Sequence, residues 1–294
     1  MRIIHQTYCL LFLFLVVLIS SSAQAGSPWQ WDFTLKQKVI GDAMHRPTGL
    51  YIDRKKQYYY VVDSGKNRLL SFDRNGELLH ILNAGKALKL PYSMTRLNST
   101  NGLWITEKGK NSLSFIDFKN KKVIPHTLSY RGQVVYPDRI REQNGKLFVL
   151  DKLSGSIIEY SRKLTAGRSF SCTDCSLGFV DFTFRGNKLW ALEQSTRAVY
   201  RFSLDGRQEK VIRLGDQVIF PVSLAIGPSG FLYILDRHRR DIAVYDKNGA
   251  FKYHFLRKGI TRGRLYYPIA LRFDPWGRLC VVDEGNARVE VYRR

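Results

Sequence analysis

Six carboxylates recur along the chain in one local setting, an apolar pair followed by an acid. They are Val61-Val62-Asp63, Ile105-Thr106-Glu107, Val149-Leu150-Asp151, Ala191-Leu192-Glu193, Ile234-Leu235-Asp236 and Val281-Val282-Asp283, with Thr inside the pair only in the second copy. A ring of such acids has the chemistry to hold a cation. Repetition argues for a different duty, because a group present in every copy serves every copy. Short acidic side chains accept hydrogen bonds from the backbone N–H groups of adjacent turns. The six acids are therefore read as structural, and chemistry is sought where the repeat is broken.

The breaks are specific. Upstream of each acid a proline stands at Pro47, Pro91, Pro137, Pro221 and Pro268, with Phe179 in the equivalent place of the fourth copy. The two residues after it are small or apolar in Thr48-Gly49, Val222-Ser223 and Ile269-Ala270, but become Tyr92-Ser93, Asp138-Arg139 and Val180-Asp181 in the other copies. Two residues further on, Arg141 and Arg272 replace Tyr51, Thr95, Thr183 or Ala225. Charges at such interior positions are costly unless hydrated or paired, so they mark either a wet channel or a ligand pocket. The basic turn Arg237-His238-Arg239-Arg240 falls on the same side. Tyr92, Asp138, Arg139, Arg141, Asp181, His238, Arg239 and Arg272 are thus the candidate ligand-binding set.

Catalytic signatures are sparse. There is no G-x-S-x-G elbow, no P-loop and no dinucleotide fingerprint. Downstream of residue 25 the histidines are His45, His80, His126, His238 and His254. Only His45 and His238 fall in loops on one face, and zinc needs a third ligand. No oxygen-ligand set at successive inner strands stands out for calcium. A divalent metal in the channel is thus unsupported, no cofactor is expected, and binding is read ahead of catalysis. Cys172 and Cys175 lack the second ligand pair of a zinc site and are read as a local disulfide, while Cys280 lies in an apolar run and is read as a buried thiol.

The elements that must position these residues follow from the period. The repeated acids are 44, 44, 42, 43 and 47 residues apart. Roughly 40 to 50 residues per unit is the blade period of a propeller. Each unit contains an inner strand opening at the proline, an apolar second strand ending at the acid, an alternating third strand such as Arg68 to Phe72, and an outer strand. The sixth unit stops after its third strand, Val289 to Tyr292. One unassigned strand-like stretch, Trp31 to Ile40, remains before Pro47, and the simplest closure places it on the outside of the last blade. The fold class expected is all-β: a six-bladed β-propeller of four-stranded blades, closed by the N-terminal strand pairing into the last blade.

Two copies carry a family likeness most clearly: Pro47-Thr48-Gly49-Leu50 through Val61-Val62-Asp63-Ser64-Gly65-Lys66-Asn67-Arg68, and Pro268 through Val281-Val282-Asp283-Glu284-Gly285-Asn286-Ala287-Arg288. The pattern resembles the NHL repeat, over residues 26 to 294. That resemblance implies the six-bladed propeller and leaves function open, since propellers host unrelated activities. Some propellers similar in outline are metal-dependent lactonases, esterases or a peptide-amidating lyase, so a hydrolase or lyase using the same channel is the alternative to binding.

Residues 1 to 25 are read as a cleaved signal peptide. Arg2 precedes an apolar run from Cys9 to Ile19, and Ala23-Gln24-Ala25 supplies an A-x-A site. The protein is expected to be secreted or periplasmic, monomeric and without a membrane span. The chain carries a formal charge of +22, of which Arg2 contributes one. Such an excess favours polyanions. Export makes nucleic acid the poorer partner and a protein, peptide or anionic polysaccharide the better one.

Overall fold

The computed structural model describes residues 27–36, 42–97, 100–173 and 175–294. Six four-stranded antiparallel sheets stand in a ring, with the inner strands of neighbouring blades packed side by side all the way round. The inner strands are Pro47–Asp53, Pro91–Thr95, Pro137–Gln143, Phe179–Arg185, Pro221–Ile226 and Pro268–Phe273. Each begins at the residue that opens the repeat, where a proline costs the ladder no donor it needs. The second strands, Tyr58–Asp63, Gly102–Glu107, Lys146–Asp151, Lys188–Glu193, Leu232–Asp236 and Leu279–Asp283, all end on the repeated acid. They read as nearly continuous apolar runs because an adjacent blade covers each of their faces. The core is accordingly a set of wedges between blades rather than one central mass.

The last blade is completed from the N-terminal side, with strand order Gln30–Leu35, Arg288–Arg293, Leu279–Asp283, Pro268–Phe273. The clasp is polar as well as apolar. Trp31 Nε1 and Thr34 Oγ1 donate to the buried Glu290 Oε2 at 2.8 and 2.6 Å. On the other side of the seam Arg278 lies 5.0 Å from the Phe33 ring and bonds Asp274 at 2.7 Å, while Tyr59 from the first blade donates to the same carboxylate at 2.6 Å. One interaction thus joins the first blade, the sixth and the clasping strand. Of the stretch expected to form this strand, residues 37–40 lie outside the described residues, as does the segment 1–25 that the sequence reads as a signal peptide.

The period does not announce one further element, a hairpin of Leu128–Tyr130 and Gln133–Val135 between the second and third blades. Its Leu128 and Val135 pack with Leu97, Trp104 and Ile140.

The repeated acids are buried and anchor the loops at the ends of their strands. Asp236 accepts from the N–H groups of Ile219 and Phe220, in the loop before its own inner strand, and from those of His238 and Arg239 in the turn that follows. Asp63 accepts from His45 and Arg46, Glu107 from Lys89, Asp151 from Tyr136 and Ser154, and Asp283 from Tyr266. Glu193 bonds only the following turn, through Ser195 and Thr196, in the blade that lacks the opening proline. Four residues after each acid the chain passes through positive φ, at Asn67, Asn111, Gly155, Arg197, Arg240 and Ala287.

Burial pushes the Asp283 carboxyl up to about 6, although Tyr266, Asn286 and Arg288 favour its charge. A folded-state pKa above the unfolded one gives stability that is present at low pH and lost as pH rises through the folded value. The stability advantage of the native protein over Asp283→Asn should therefore shrink between about pH 4 and pH 6; a difference that grew over this range would place the carboxyl below its ordinary pKa. Asp236→Ala removes the shared acceptor of four part-buried N–H groups, each bond worth roughly 0.5 to 1.5 kcal/mol, and should cost about 3 kcal/mol in urea unfolding.

Candidate functional site

Every inner strand bulges just after it begins. The register skips Thr48, Tyr92, Val180, Val222 and Ile269 in five blades, and both Asp138 and Arg139 in the third. A bulge re-aims the residue it releases. Six of these released residues, Tyr92, Asp138, Arg139, Val180, Val222 and Ile269, line a cavity of about 500 Å³ at one mouth of the channel.

A second set of residues reaches the same cavity from the position immediately after the repeated acids: Lys108, Lys152, Gln194 and Arg237. Sequence reasoning placed Arg237 on this side only as part of its basic turn and passed over Lys108, Lys152 and Gln194, because the residue type varies from blade to blade. The signal was available, since once the acid is recognised as a clamp on its turn, the next residue has a fixed place on the mouth. Leu150, Leu177, Phe179 and Phe220 complete an apolar wall.

Lys108 pairs with Asp138 at 2.8 Å and sits 3.2 Å from the centroid of the Tyr92 ring. Burial raises the Tyr92 phenol to about 12, against the pull of Arg139, so it stays neutral. Arg237 pairs with Glu284 at 2.8 Å. Lys152 is exposed, and its ammonium has no ion pair or hydrogen bond among the described residues.

The floor is Arg139. Its Nε donates to Val180 O at 3.2 Å in the fourth blade and its Nη2 to Ile269 O at 3.1 Å in the sixth, so the guanidinium lies across the ring. Burial opposes its charge, but Tyr92, Asp181 and Asp138 outweigh burial and lift its pKa above the ordinary arginine value. Nη1 makes no hydrogen bond among the described residues. The cavity is thus a cup closed by a cation rather than an open pore.

Asp181 is fully buried and shared. It pairs with Arg141 at 2.8 Å and approaches Arg139 at 3.6 Å, while its other oxygen accepts from Ser223 Oγ and from Leu224 N at 3.2 Å. Ser223 in turn accepts from Leu271 N at 3.0 Å, and Ser93 accepts from Ile140 N at 3.3 Å. In the second to fifth blades the side chain two after the blade-opening residue thus binds the next blade's backbone. Asp181 performs that task while balancing two arginines. Burial lowers the Arg141 pKa, with Asp181 opposing the shift.

The structure therefore brings Tyr92, Asp138 and Arg139 into the cavity and sets Arg141 and Asp181 beneath them. His238 stacks on Phe220 with ring centroids 4.3 Å apart and belongs to the rim. Arg239 turns outward to Asp241 at 3.1 Å, leaving Arg237 as the member of that turn which faces the cup. Arg272 bonds the carbonyl of Leu271 and does not line the cavity. Five cations, Lys108, Arg139, Arg141, Lys152 and Arg237, stand against three carboxylates, Asp138, Asp181 and Glu284. The arrangement is suited to receiving negative charge beside an apolar wall.

Cys172 and Cys175 lie in disulfide contact with Cα atoms 5.8 Å apart, in the loop that carries Leu177 to the rim, and Cys280 is a buried thiol. Among the described residues no three His, Cys, Asp or Glu side chains gather to hold a metal ion, and no helix is long and apolar enough to cross a membrane.

Solved structures share this architecture. A streptogramin B lyase matches with a TM-score of 0.63 at 14% identity, over 90% of this chain and 97% of the other. A gluconolactonase from Xanthomonas campestris matches with a TM-score of 0.64 at 13% identity, over 84% and 85%. An auxiliary nutrient binding protein from Bacteroides thetaiotaomicron matches with a TM-score of 0.65 at 15% identity, over 85% and 69%. The likeness is one of fold: a six-bladed β-propeller. No protein-family profile matches the chain, and no curated protein matches it in sequence.

Removing Asp181 leaves Arg141 buried without its nearest partner. Asp181→Ala should cost about 3 to 5 kcal/mol in urea unfolding, as breaking a buried pair does. A loss below about 1 kcal/mol would show instead that the carboxylate is solvated and free to meet a ligand.

Proposed function

We propose that this chain is an exported propeller of the NHL type that binds anionic groups of a protein, peptide or glycan ligand at the cationic cup. The observation that carries this reading is Lys152. It is an unpaired ammonium at the lip of an apolar-walled cavity of about 500 Å³ that Arg139 closes from below. A volume of this size, mostly apolar with a few converging polar groups, is the usual form of a ligand site. The repeat motif supports the NHL assignment. The run Cys9 to Ile19 with Ala23-Gln24-Ala25 supports export, which displaces nucleic acid as the partner of so basic a chain.

The names of similar structures include two enzymes as well as a binding protein, and identities of 13 to 15% lend the fold alone. Binding stands ahead of metal-dependent hydrolysis or elimination because the cup gathers cations. The carboxylate that lines it, Asp138, is already committed to Lys108.

Binding to heparin-like or acidic-glycan resins should fall steeply as salt is raised, because exposed charges are screened over roughly 10 Å at 0.1 M. Lys152→Glu should weaken it about tenfold without changing thermal stability, and Lys108→Glu by less, since Asp138 already occupies that ammonium. Retention indifferent to salt and to Lys152→Glu would refute the proposal. Export predicts that protein recovered outside the cytoplasm has the intact mass of residues 26 to 294; a mass retaining residue 1 would contradict cleavage.

A further inference from the structure

The inter-blade wedges are built to one plan. In the third strand, the residue eight after the repeated acid points at the following blade, and in five blades it is a substantial side chain: Phe115, Glu159, Arg201, Val244 and Val291. Phe115 packs on Trp104 at 5.0 Å, and Arg201 lies 5.4 Å over Trp190. In the first blade the same position is Ser71, paired across the sheet with Tyr60 and His80.

The substitution leaves a space. A cavity of about 490 Å³ lies between the first and second blades, walled by Tyr58, Tyr60, Leu69, Leu103 and Phe118. Ser71 lines it and is 5% exposed, and its Oγ is buried with no hydrogen-bond partner among the described residues. His80 and Lys56 stand at the opening, and no carboxylate lines the walls.

We propose that this wedge is a second ligand site, separate from the cup at the channel mouth, for a small aromatic molecule bearing one anionic group. The ring lies among Tyr58, Tyr60 and Phe118, where aromatic faces and edges pair favourably. The anionic group faces Lys56, whose neighbouring carboxylate, Asp53, is already paired with Arg96 at 2.9 Å. Tyr60 remains a neutral donor there, since burial, helped by Asp53, raises its pKa.

The test uses the mature protein and the aromatic monoanion 8-anilinonaphthalene-1-sulfonate, followed by fluorescence. One saturable site is expected. Ser71→Phe, which copies the residue of the second blade, should weaken binding about tenfold or more, a loss of about 1.4 kcal/mol. It should leave thermal unfolding unchanged or raised. Lys56→Glu, an exposed change that does not endanger folding, should weaken it severalfold, and so carries the test if Ser71→Phe fails to fold. Lys152→Glu should leave it unaltered. No saturable binding, binding that survives Lys56→Glu, or binding lost with Lys152→Glu would overturn the proposal. The last outcome would place the probe in the cup and leave the reading of the channel mouth standing.

Discussion

A buried carboxylate at the end of each second strand is the interaction on which the rest of this propeller depends. In five of six blades it holds the loop leading into the inner strand, and in the third, fourth and fifth it accepts from backbone N–H groups of the turn that follows. In the third and fifth, two loops that would otherwise move independently are fixed to one point. The residue after the acid then arrives at the channel mouth from the second to fifth blades, and the residue released by the inner-strand bulge from the second to sixth. Because the clamp is a side chain accepting backbone N–H bonds, it leaves the identity of those mouth residues unconstrained. The scaffold is conservative where it clamps and permissive where it meets solvent.

The fold was legible in the sequence to a considerable depth, for physical reasons. Both faces of the second strands are covered, so Val61-Val62 and its counterparts are apolar pairs, and the acid that follows them is demanded by unpaired N–H groups in each copy. Proline at the start of the inner strands follows from ladder geometry in the same way. The missing outer strand of the sixth blade leaves an open edge, which made the role of the segment around Trp31 readable. The hairpin from Leu128 to Val135 was not readable, because it belongs to one junction and answers to no period.

The cup was legible in part. Tyr92, Asp138 and Arg139 betray themselves as departures from small residues beside the opening proline. Lys108, Lys152 and Arg237 do not, since basic residues are common throughout a chain of charge +22. Only the clamp geometry separates them from the solvated lysines of the outer turns. Within Arg237 to Arg240 the sequence alone cannot decide which arginine turns inward. Asp241 on the next strand draws Arg239 away, while Tyr266 and Tyr267 hold Arg240 at 5.1 and 4.8 Å. Ser71 is a quieter departure of the same kind, visible once the third strands are aligned by register.

The central claim is that the clamps deliver an excess of cationic groups to one mouth of a channel that Arg139 closes. Anomalous diffraction from crystals of residues 26 to 294 soaked in bromide tests it most directly. The account predicts a bromide peak in the cup, within reach of Lys152 and Arg139. Bromide bound at the outer turns with the cup empty would contradict it.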